Sequence, residues 1–147
     1  MKKNFSRIGI NLMKALLRSP LHGILSGSFA LITVTGRKSG KQYTLPVNYF
    51  RQGDALLIFS LRSRVWWRNL RRDNAIVRMR LQGKDVSGWA AALEDEAQTA
   101  QALAIFFNSA PKYAKYFDVS LDERGKPSIA DLARAAQTRI AIQVAVL

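Results

Sequence analysis

Residues 30–60 read ALITVTGRKSGKQYTLPVNYFRQGDALLIFS, and this stretch decides the fold. It contains three runs rich in β-branched and apolar residues, separated by two turns that contain glycine. Connections this short join neighbouring strands that run in opposite directions, so the stretch predicts an antiparallel meander. The predicted strands are 30–35, 42–50 and 55–60, and the turns between them are 36–41 and 52–54.

The rest of the chain adds strands and helices without repeating one unit. A sheet of about six antiparallel strands with flanking helices is an α+β fold, and curling into a small barrel is the usual way for such a sheet to avoid open edges. The absence of β-α-β alternation in the pattern argues against a Rossmann or P-loop fold. The further predicted strands are 76–81, 86–93 and 140–146, and the predicted helices are 65–72, 94–109 and one after Ser128 that runs through Ala136.

Composition bounds the chemistry. The chain has 147 residues, of which 48% are hydrophobic, enough for one compact domain and too few for two. It contains no cysteine, which excludes disulfides, thiolate metal sites and cysteine nucleophiles, and its single histidine, His22, argues against a histidine metal site or a Ser-His-Asp triad. We expect no metal, and a cytoplasmic protein without a signal peptide or membrane-spanning helix.

The first 27 residues form a separate predicted segment, ahead of a single domain over residues 28–147. Phe5, Ile8 and Leu12 recur at helical spacing while basic side chains share another face, which predicts an amphipathic helix. Two interpretations stay open for this helix. It either lies on the domain or makes a peripheral contact with an anionic membrane surface.

Positive charge is concentrated in the middle of the chain. The net charge is +13, and residues 36–84 carry twelve basic and two acidic side chains, whereas residues 85–147 carry six basic and eight acidic ones. A balance of this kind is typical of proteins that meet polyanions. The anion-binding surface is therefore predicted in the middle third.

Three short segments carry residues suited to chemistry. The turn 36–41 combines two glycines, a serine and three cations, a composition that predicts a phosphate nest. The segment 62–72 holds two adjacent tryptophans among arginines. We expect one tryptophan to be buried and the other to cover a ligand or partner, because two neighbours on a helix cannot both face the core. The segment 111–117 brings Tyr113 and Tyr116 together at i, i+3.

The order of these segments resembles the deazaflavin-dependent nitroreductase family of the flavin/deazaflavin oxidoreductases. The resemblance runs from about residue 28 to the end and rests on Thr35-Gly-Arg-Lys-Ser-Gly-Lys41, Pro46-Val-Asn-Tyr49, Trp66-Trp-Arg-Asn-Leu70 and the Pro-x-Tyr-x-x-Tyr segment. It implies a split β-barrel that binds coenzyme F-420, a 5-deazaflavin with a phosphate, a lactyl group and a polyglutamate tail.

The resemblance also implies roles for individual residues. Residues of the turn would hold the phosphate and tail, three residues of the second strand would line the deazaflavin ring, and three others would close over it. Tyr113 and Tyr116 would face the substrate as catalytic residues. The implied cofactor-binding residues are Arg37, Lys38, Ser39, Gly40 and Lys41 in the turn, Pro46, Val47 and Asn48 along the ring, and Ser60, Trp66 and Asn69 over it.

The predicted function is an oxidoreductase that passes a hydride from reduced F-420 to a small electrophilic acceptor such as a quinone, enone or nitroaromatic. An FMN-binding split barrel is an alternative, because FMN also carries a phosphate. A nucleic-acid-binding protein, with arginines on phosphates and Trp66 or Trp67 stacked on bases, is a weaker one, and no nucleic acid is expected. Whether the protein forms a homodimer stays open at this point.

Overall fold

The computed structural model describes residues 29–71 and 75–147. Seven strands, two short 3-10 helices and two α-helices follow one another along these residues. The α+β class predicted from the sequence is therefore confirmed. The strands are β1 (Phe29–Thr35), β2 (Gln42–Asn48), β3 (Phe50–Gln52), β4 (Ala55–Leu61), β5 (Ala75–Leu81), β6 (Lys84–Leu93) and β7 (Arg139–Val146); the 3-10 helices are η1 (Trp66–Leu70) and η2 (Pro111–Phe117), and the α-helices are α1 (Glu96–Ser109) and α2 (Ile129–Thr138).

All seven strands form one antiparallel sheet in the order β2-β1-β5-β6-β7-β4-β3. Its two edge strands, β2 and β3, are consecutive in the chain and are separated only by Tyr49. One residue cannot bridge a flat seven-stranded sheet, so the sheet curls until its edges meet. β2 and β3 do not pair with each other, and the result is a split barrel.

The strand predicted over residues 42–50 is wrong at its C-terminal end, and this raises the strand count from six to seven. β2 stops at Asn48, and a new strand begins at Phe50. Tyr49 is 3% exposed and packs in the barrel core, while the chain on either side changes its pairing partner from β1 to β4. The break therefore follows from closure of the barrel.

Two apolar clusters occupy the two faces of the sheet. The barrel interior is filled by alternate residues of the strands, among them Ile32, Ile58, Val77 and Ile142. The outer face of β3, β4 and β7 is covered by α1, α2 and η2, which pack against side chains such as Leu57. The outer face of β2, β1 and β5 lies away from these three helices.

The helices begin where capping residues predict. Asp95 accepts a hydrogen bond from the amide of Ala97 at the start of α1, and Ser128 accepts one from the amide of Asp131 at the start of α2, which confirms Ser128 as an N-cap. The helix predicted over residues 65–72 is instead a single stretch of 3-10 helix, η1. Within residues 29–71 and 75–147, no helix is long and apolar enough to cross a membrane. The predicted N-terminal helical segment, residues 1–27, lies outside the described residues.

Candidate functional site

The turn between β1 and β2 is held in one conformation by its own hydrogen bonds. The amide of Gly36 donates to the carbonyl oxygen of Lys41 (2.7 Å), and the amide of Gly40 donates to the carbonyl oxygen of Gly36 (3.0 Å). The Ser39 hydroxyl oxygen accepts from the amide of Lys41 (3.1 Å). Gly40 has a φ of 72°, a left-handed conformation that favours glycine.

These hydrogen bonds leave fewer backbone amides available to an anion than the sequence predicts. Of the amides in the turn, those of Lys38 and Ser39 are the two that have no acceptor among the described residues. The side chains of Arg37, Lys38 and Lys41 are all exposed. The turn therefore offers two N–H donors and three cations to an anion.

Asn69 fastens this turn to η1. Its Oδ1 accepts a hydrogen bond from the amide of Arg37 (3.1 Å), and its Nδ2 donates to the carbonyl oxygen of Trp66 (3.1 Å). Both ends of the amide are thus used within the protein. Asn69 therefore holds the wall of the cleft in place.

Trp66 and Trp67 are both buried, at 8% and 3% exposure, so the expectation that two neighbouring tryptophans cannot both face the core is wrong. The Trp66 indole Nε1 donates to Ser60 Oγ (3.2 Å), and the Trp67 Nε1 donates to the carbonyl oxygen of Arg62 (3.3 Å). η1 is only five residues long and lies across the barrel end, so both rings reach the interior cluster.

Arginine side chains complete the cover over Trp67. The Arg71 guanidinium carbon lies 5.0 Å from the centroid of the Trp67 ring, and that of Arg68 lies 5.8 Å away. Arg71 also forms an ion pair with Glu94 (2.9 Å). These arginines contact an indole of their own chain, a structural role that the sequence pattern does not distinguish from ligand binding.

The turn, β2 and η1 together enclose an open cleft of about 530 Å³, which we call the basic cleft. Five of the predicted cofactor-binding residues line it, and Gly40 and Lys41 belong to the same turn. Gly36 of the same turn also lines it, although it was not among the predicted cofactor-binding residues. Four further lining residues were missed, because their types suit a plain strand or helix end. The predicted residues are Arg37, Lys38, Ser39, Trp66 and Asn69; the missed ones are Gly36, Tyr43, Thr44, Leu45 and Val65.

β2 runs away from the basic cleft along the split in the barrel. Pairing only with β1, it leaves its second edge open. Pro46 lacks an N–H, so it fits where the backbone faces away from β1, and by alternation Thr44 and Asn48 present backbone groups to the open edge. The side chain of Val47 points the other way, into the barrel core, and is 8% exposed.

A second cleft, of about 370 Å³, lies at the other end of β2, and we call it the aromatic cleft. Tyr113 is half-buried, with its ring stacked on Phe106 at 5.5 Å between centroids. Tyr116 is 66% exposed, and within the described part of the chain no group hydrogen-bonds to either phenol hydroxyl. The lining residues are Asn48, Phe50, Phe59, Tyr113, Tyr116 and Phe117, of which the three phenylalanines were missed because their spacing is that of ordinary packing.

Cations surround the aromatic cleft as well. The Lys115 Nζ lies 5.6 Å from the Tyr116 ring centroid, and the Arg139 guanidinium carbon lies 4.9 Å from that of Phe117. Burial lowers the pKa of Arg139, and the nearby Asp118 carboxylate opposes that shift. The second cleft is therefore an aromatic wall with positive charge at its edge.

Residues 29–71 and 75–147 hold no group of three or more His, Cys, Asp or Glu side chains that could bind a metal ion. What they do hold is an anion-binding turn at one end of an open strand edge and an aromatic cleft at the other. A curled antiparallel barrel with such a site suits a ligand that carries both a negatively charged group and a flat ring.

The comparison with protein-family models identifies the family of this chain. The F420H2-dependent quinone reductase family matches residues 15–122, and the chain belongs to this family. It is therefore an F-420-dependent oxidoreductase. The comparison with curated proteins found no match to this chain.

Solved structures share the fold at low sequence identity. The FAD and heme binding protein of Mycobacterium smegmatis is 16% identical, with a TM-score of 0.52 over 98% of this chain and 68% of that one. A structure described as a domain-swapped dimer is 18% identical, with a TM-score of 0.52 over 91% and 93%. A structure described as an F420 reductase is 16% identical, with a TM-score of 0.46 over 91% and 92%. At these identities the first two support the fold alone.

The residues present fit the F-420 cofactor. Its phosphate needs cations and N–H donors, which the turn offers through three exposed basic side chains and the amides of Lys38 and Ser39. Its flat ring carries polar groups that can pair with a strand edge, and β2 has an open one. The six-residue step from Gln42 to Asn48 spans about 20 Å of extended strand, enough for a long ligand to lie alongside.

Proposed function

We propose that this protein transfers a hydride from reduced F-420 to an electrophilic small molecule of the quinone, enone or nitroaromatic class. The observation that carries the proposal is the position of β2, which joins the basic cleft to the aromatic cleft along one open edge. When bound, the reduced deazaflavin supplies the hydride, and the protein supplies position and charge.

The turn is the proposed anchor for the cofactor phosphate. The side chains of Arg37, Lys38 and Lys41 balance its charge, and the amides of Lys38 and Ser39 donate to its oxygens. The bond from Arg37 to Asn69 keeps the turn beside η1 in advance of binding, so little ordering is required when the anion arrives. Trp66, held by Ser60, forms the apolar floor next to the turn.

The ring is proposed to lie along Pro46, Val47 and Asn48, with the acceptor on the side of the aromatic cleft. Val47 contributes mainly by filling the barrel beneath, since its side chain is buried. The Asn48 side chain is exposed in the aromatic cleft and can orient a polar group of the ring or the acceptor.

Tyr113 and Tyr116 are the proposed catalytic residues. A quinone or nitro group that accepts a hydride also needs a proton, and a phenol hydroxyl is able to donate one. Both hydroxyls lack a partner among the described residues and border the same cleft. Tyr113 is held by Phe50 and Phe106, while Tyr116 is free to adjust to different acceptors.

FMN and nucleic acid are the alternatives that the test must separate. FMN carries a phosphate that the same turn could hold. Nucleic-acid binding depended on an exposed Trp66 or Trp67 for base stacking, and the burial of both indoles leaves that interpretation without its stacking platform.

The deciding experiment is a titration of the purified full chain with F-420, FMN and a single-stranded oligonucleotide, followed by quenching of tryptophan fluorescence. We expect tight binding of F-420 alone. Anaerobic oxidation of reduced F-420 with menadione, a nitroaromatic and a cyclic enone then ranks the acceptor classes. Binding of F-420 without turnover on any of the three would refute the proposed acceptor class.

A homodimer is proposed as the assembly, supported by the domain-swapped dimer among the similar structures. Sedimentation velocity of the full chain at several concentrations tests it, and a monomer throughout would refute it. The cytoplasmic location and the peripheral membrane contact through residues 1–27 also stay predictions.

A further inference from the structure

Each of the three aromatic rings of η2 has a cation over it. All three rings line the aromatic cleft, which the proposed function gives to the electron acceptor. Two of the cations are exposed lysines of η2 itself, and the third is the first residue of β7. A neutral acceptor does not explain three positive charges beside this wall. The pairs are Lys112 with Tyr113, Lys115 with Tyr116 and Arg139 with Phe117, at 5.3, 5.6 and 4.9 Å from the charged group to the ring centroid.

Arg139 is partly withdrawn from water without receiving an anion in return. It is half-buried, and among the described residues it makes no ion pair. Its hydrogen bond to the carbonyl oxygen of Tyr116 is long, at 3.5 Å, and occupies one of the five N–H donors of a guanidinium. Burial lowers the pKa of Arg139, although Asp118 opposes the shift, because the charged form has lost part of its water. An anion beside Arg139 would replace that water.

The carboxylates near η2 do not neutralise this charge. Asp131 accepts its hydrogen bonds from Ser120 and Arg134. Asp118 directly follows η2, is exposed, and forms no ion pair with Arg139. An exposed carboxylate keeps its own water and compensates a nearby cation only weakly. The positive charge at this edge of the aromatic cleft is therefore available to a ligand.

The aromatic cleft has a size and lining that suit a small planar ligand. Its volume is about 370 Å³, at the lower end of the range for ligand pockets. Phe50 and Phe59 supply half-buried ring surface, and the exposed amide of Asn48 supplies both a donor and an acceptor. A ligand of one or two fused aromatic rings can pack on the phenylalanines while a substituent reaches the cations at the edge.

We propose that the acceptor is a planar aromatic compound that carries a carboxylate, and that Arg139 selects it. This inference rests on the proposed function, which puts the acceptor in the aromatic cleft. A guanidinium can form two parallel hydrogen bonds to a carboxylate, an interaction that a neutral amide does not match in strength. Lys115 adds positive charge from its exposed position. Arg139 is thus a specificity-determining residue and takes no part in the transfer of the hydride or the proton.

The first test measures binding without any reaction. Naphthalene-2-carboxylate and naphthalene-2-carboxamide have the same rings and nearly the same shape, but only the first is ionised at neutral pH. Isothermal titration calorimetry of the full chain, with and without oxidised F-420, gives both Kd values. We expect the carboxylate to bind about tenfold more tightly, as for one charge-assisted hydrogen bond. Raised salt should reduce this ratio, because the cleft is open to solvent.

Variants locate the preference. Arg139→Gln keeps a polar side chain and removes the charge, so it should bring the ratio of the two Kd values close to one. Arg139→Lys keeps the charge without the planar fork and should retain part of the ratio. Lys115→Gln changes an exposed side chain and should lower the ratio less, which provides the test if Arg139→Gln does not fold. Arg124→Gln removes one exposed cation from the loop before α2 and is the matched control, with the ratio of the wild type.

The second test uses reducible acceptors under anaerobic conditions. 4-Nitrobenzoate and 4-nitrobenzamide share the reactive group, which takes one hydride from reduced F-420 and one proton and becomes a nitroso group with release of water. The two compounds differ in intrinsic reactivity, but that difference is the same for every variant. The kcat/KM ratio of benzoate to benzamide should fall about tenfold from the wild type to Arg139→Gln, with most of the change in KM.

Three results would overturn the inference. The first is that the wild type binds the naphthalene carboxylate no more tightly than the carboxamide. The second is a ratio that is the same in the wild type and in the variants of Arg139 and Lys115. The third is an equal fall in Arg124→Gln, which would mean that the net charge of the protein attracts the anion. Failure of the proposed function looks different: the preference for the carboxylate would persist, but neither nitro compound nor menadione would oxidise reduced F-420.

Discussion

The backbone amide of Arg37 donates a hydrogen bond to Oδ1 of Asn69 at 3.1 Å, which ties the β1–β2 turn to η1 across 32 positions of sequence. Asn69→Ala removes this link together with the bond to the Trp66 carbonyl oxygen. We expect the affinity for F-420 to fall by about 1–2 kcal/mol, because the turn must then be ordered on binding. Fluorescence titration measures it, with the exposed Asn108→Ala as the matched control. Equal affinity in both variants would contradict the positioning role.

The cations of the turn give the second prediction. Arg37→Ala or Lys41→Ala should each weaken F-420 binding by roughly 1–3 kcal/mol, the range for a charge-assisted hydrogen bond. Both side chains are exposed, so the thermal midpoint should stay the same. Lys126→Ala is the control for the loss of one charge far from the cleft. Unchanged affinity in both turn variants would show that the phosphate does not bind at this turn.

The tyrosines of the aromatic cleft give the third prediction. Tyr113→Phe and Tyr116→Phe keep the rings and remove the hydroxyls, so we expect a lower kcat or a changed acceptor preference with an unaltered Kd for F-420. Steady-state kinetics with a quinone and a nitroaromatic acceptor measure both effects. If the two single variants and the double variant match the wild type on every acceptor, the tyrosines serve packing alone.

Asp131 gives a prediction about pH. Hydrogen bonds from the Ser120 amide (2.9 Å) and hydroxyl (2.7 Å), and then one from Arg134, lower the pKa of Asp131 from 3.8 to about 2. A carboxyl with a lowered pKa adds stability that is complete above its unfolded value and is lost as the pH falls from about 3.8 to about 2. Asp131→Asn should therefore melt below the wild type at pH 7.

The difference in melting temperature between the wild type and Asp131→Asn should narrow as the pH falls through that window. Thermal unfolding followed by circular dichroism at a series of pH values measures it. A difference that is constant over the whole range would mean that shape rather than charge is responsible. Asp122→Asn is a poorer control, because the Asp122 carboxylate accepts hydrogen bonds from the amides of Arg124 and Lys126 and so stabilises its own loop.

Ser60 gives a prediction about stability. Ser60→Ala leaves the Trp66 Nε1 without its acceptor inside the barrel, at a cost of about 1–3 kcal/mol in the free energy of unfolding. Ser109→Ala, which removes an exposed hydroxyl at the end of α1, should have a much smaller effect. Urea unfolding compares the two, and equal stabilities would show that the indole bond adds nothing.

Much of the fold follows from local pattern. The strands around the first turn were predictable because alternating apolar residues on both sides of the glycines at 36 and 40 indicate a hairpin from local sequence alone. The end of β2 was not, because residues 42–49 keep a larger apolar side chain at every second position, and only barrel closure ends the strand before Tyr49.

The candidate site also has a part that local sequence predicts and a part that it does not. The basic turn could be predicted because its chemistry is contained in six consecutive residues. Thr44 and Leu45 were missed because what exposes them is the open edge of β2, a property of the whole sheet. The burial of both Trp66 and Trp67 was not predicted, because α-helical spacing was assumed for what is a 3-10 helix of five residues, with Arg71 lying over the Trp67 ring.

The position of β7 between β6 and β4 has a consequence for how the chain is made. β7 is the last of the described strands to leave the ribosome, yet it is the one that joins β2-β1-β5-β6 to β4-β3. Until Arg139–Val146 has emerged, the nascent chain holds two separate sheet fragments, each with an unpaired apolar edge strand. Assembly of the barrel therefore waits until β7 has been made, and the nascent chain before that point is the form most exposed to aggregation and to chaperones.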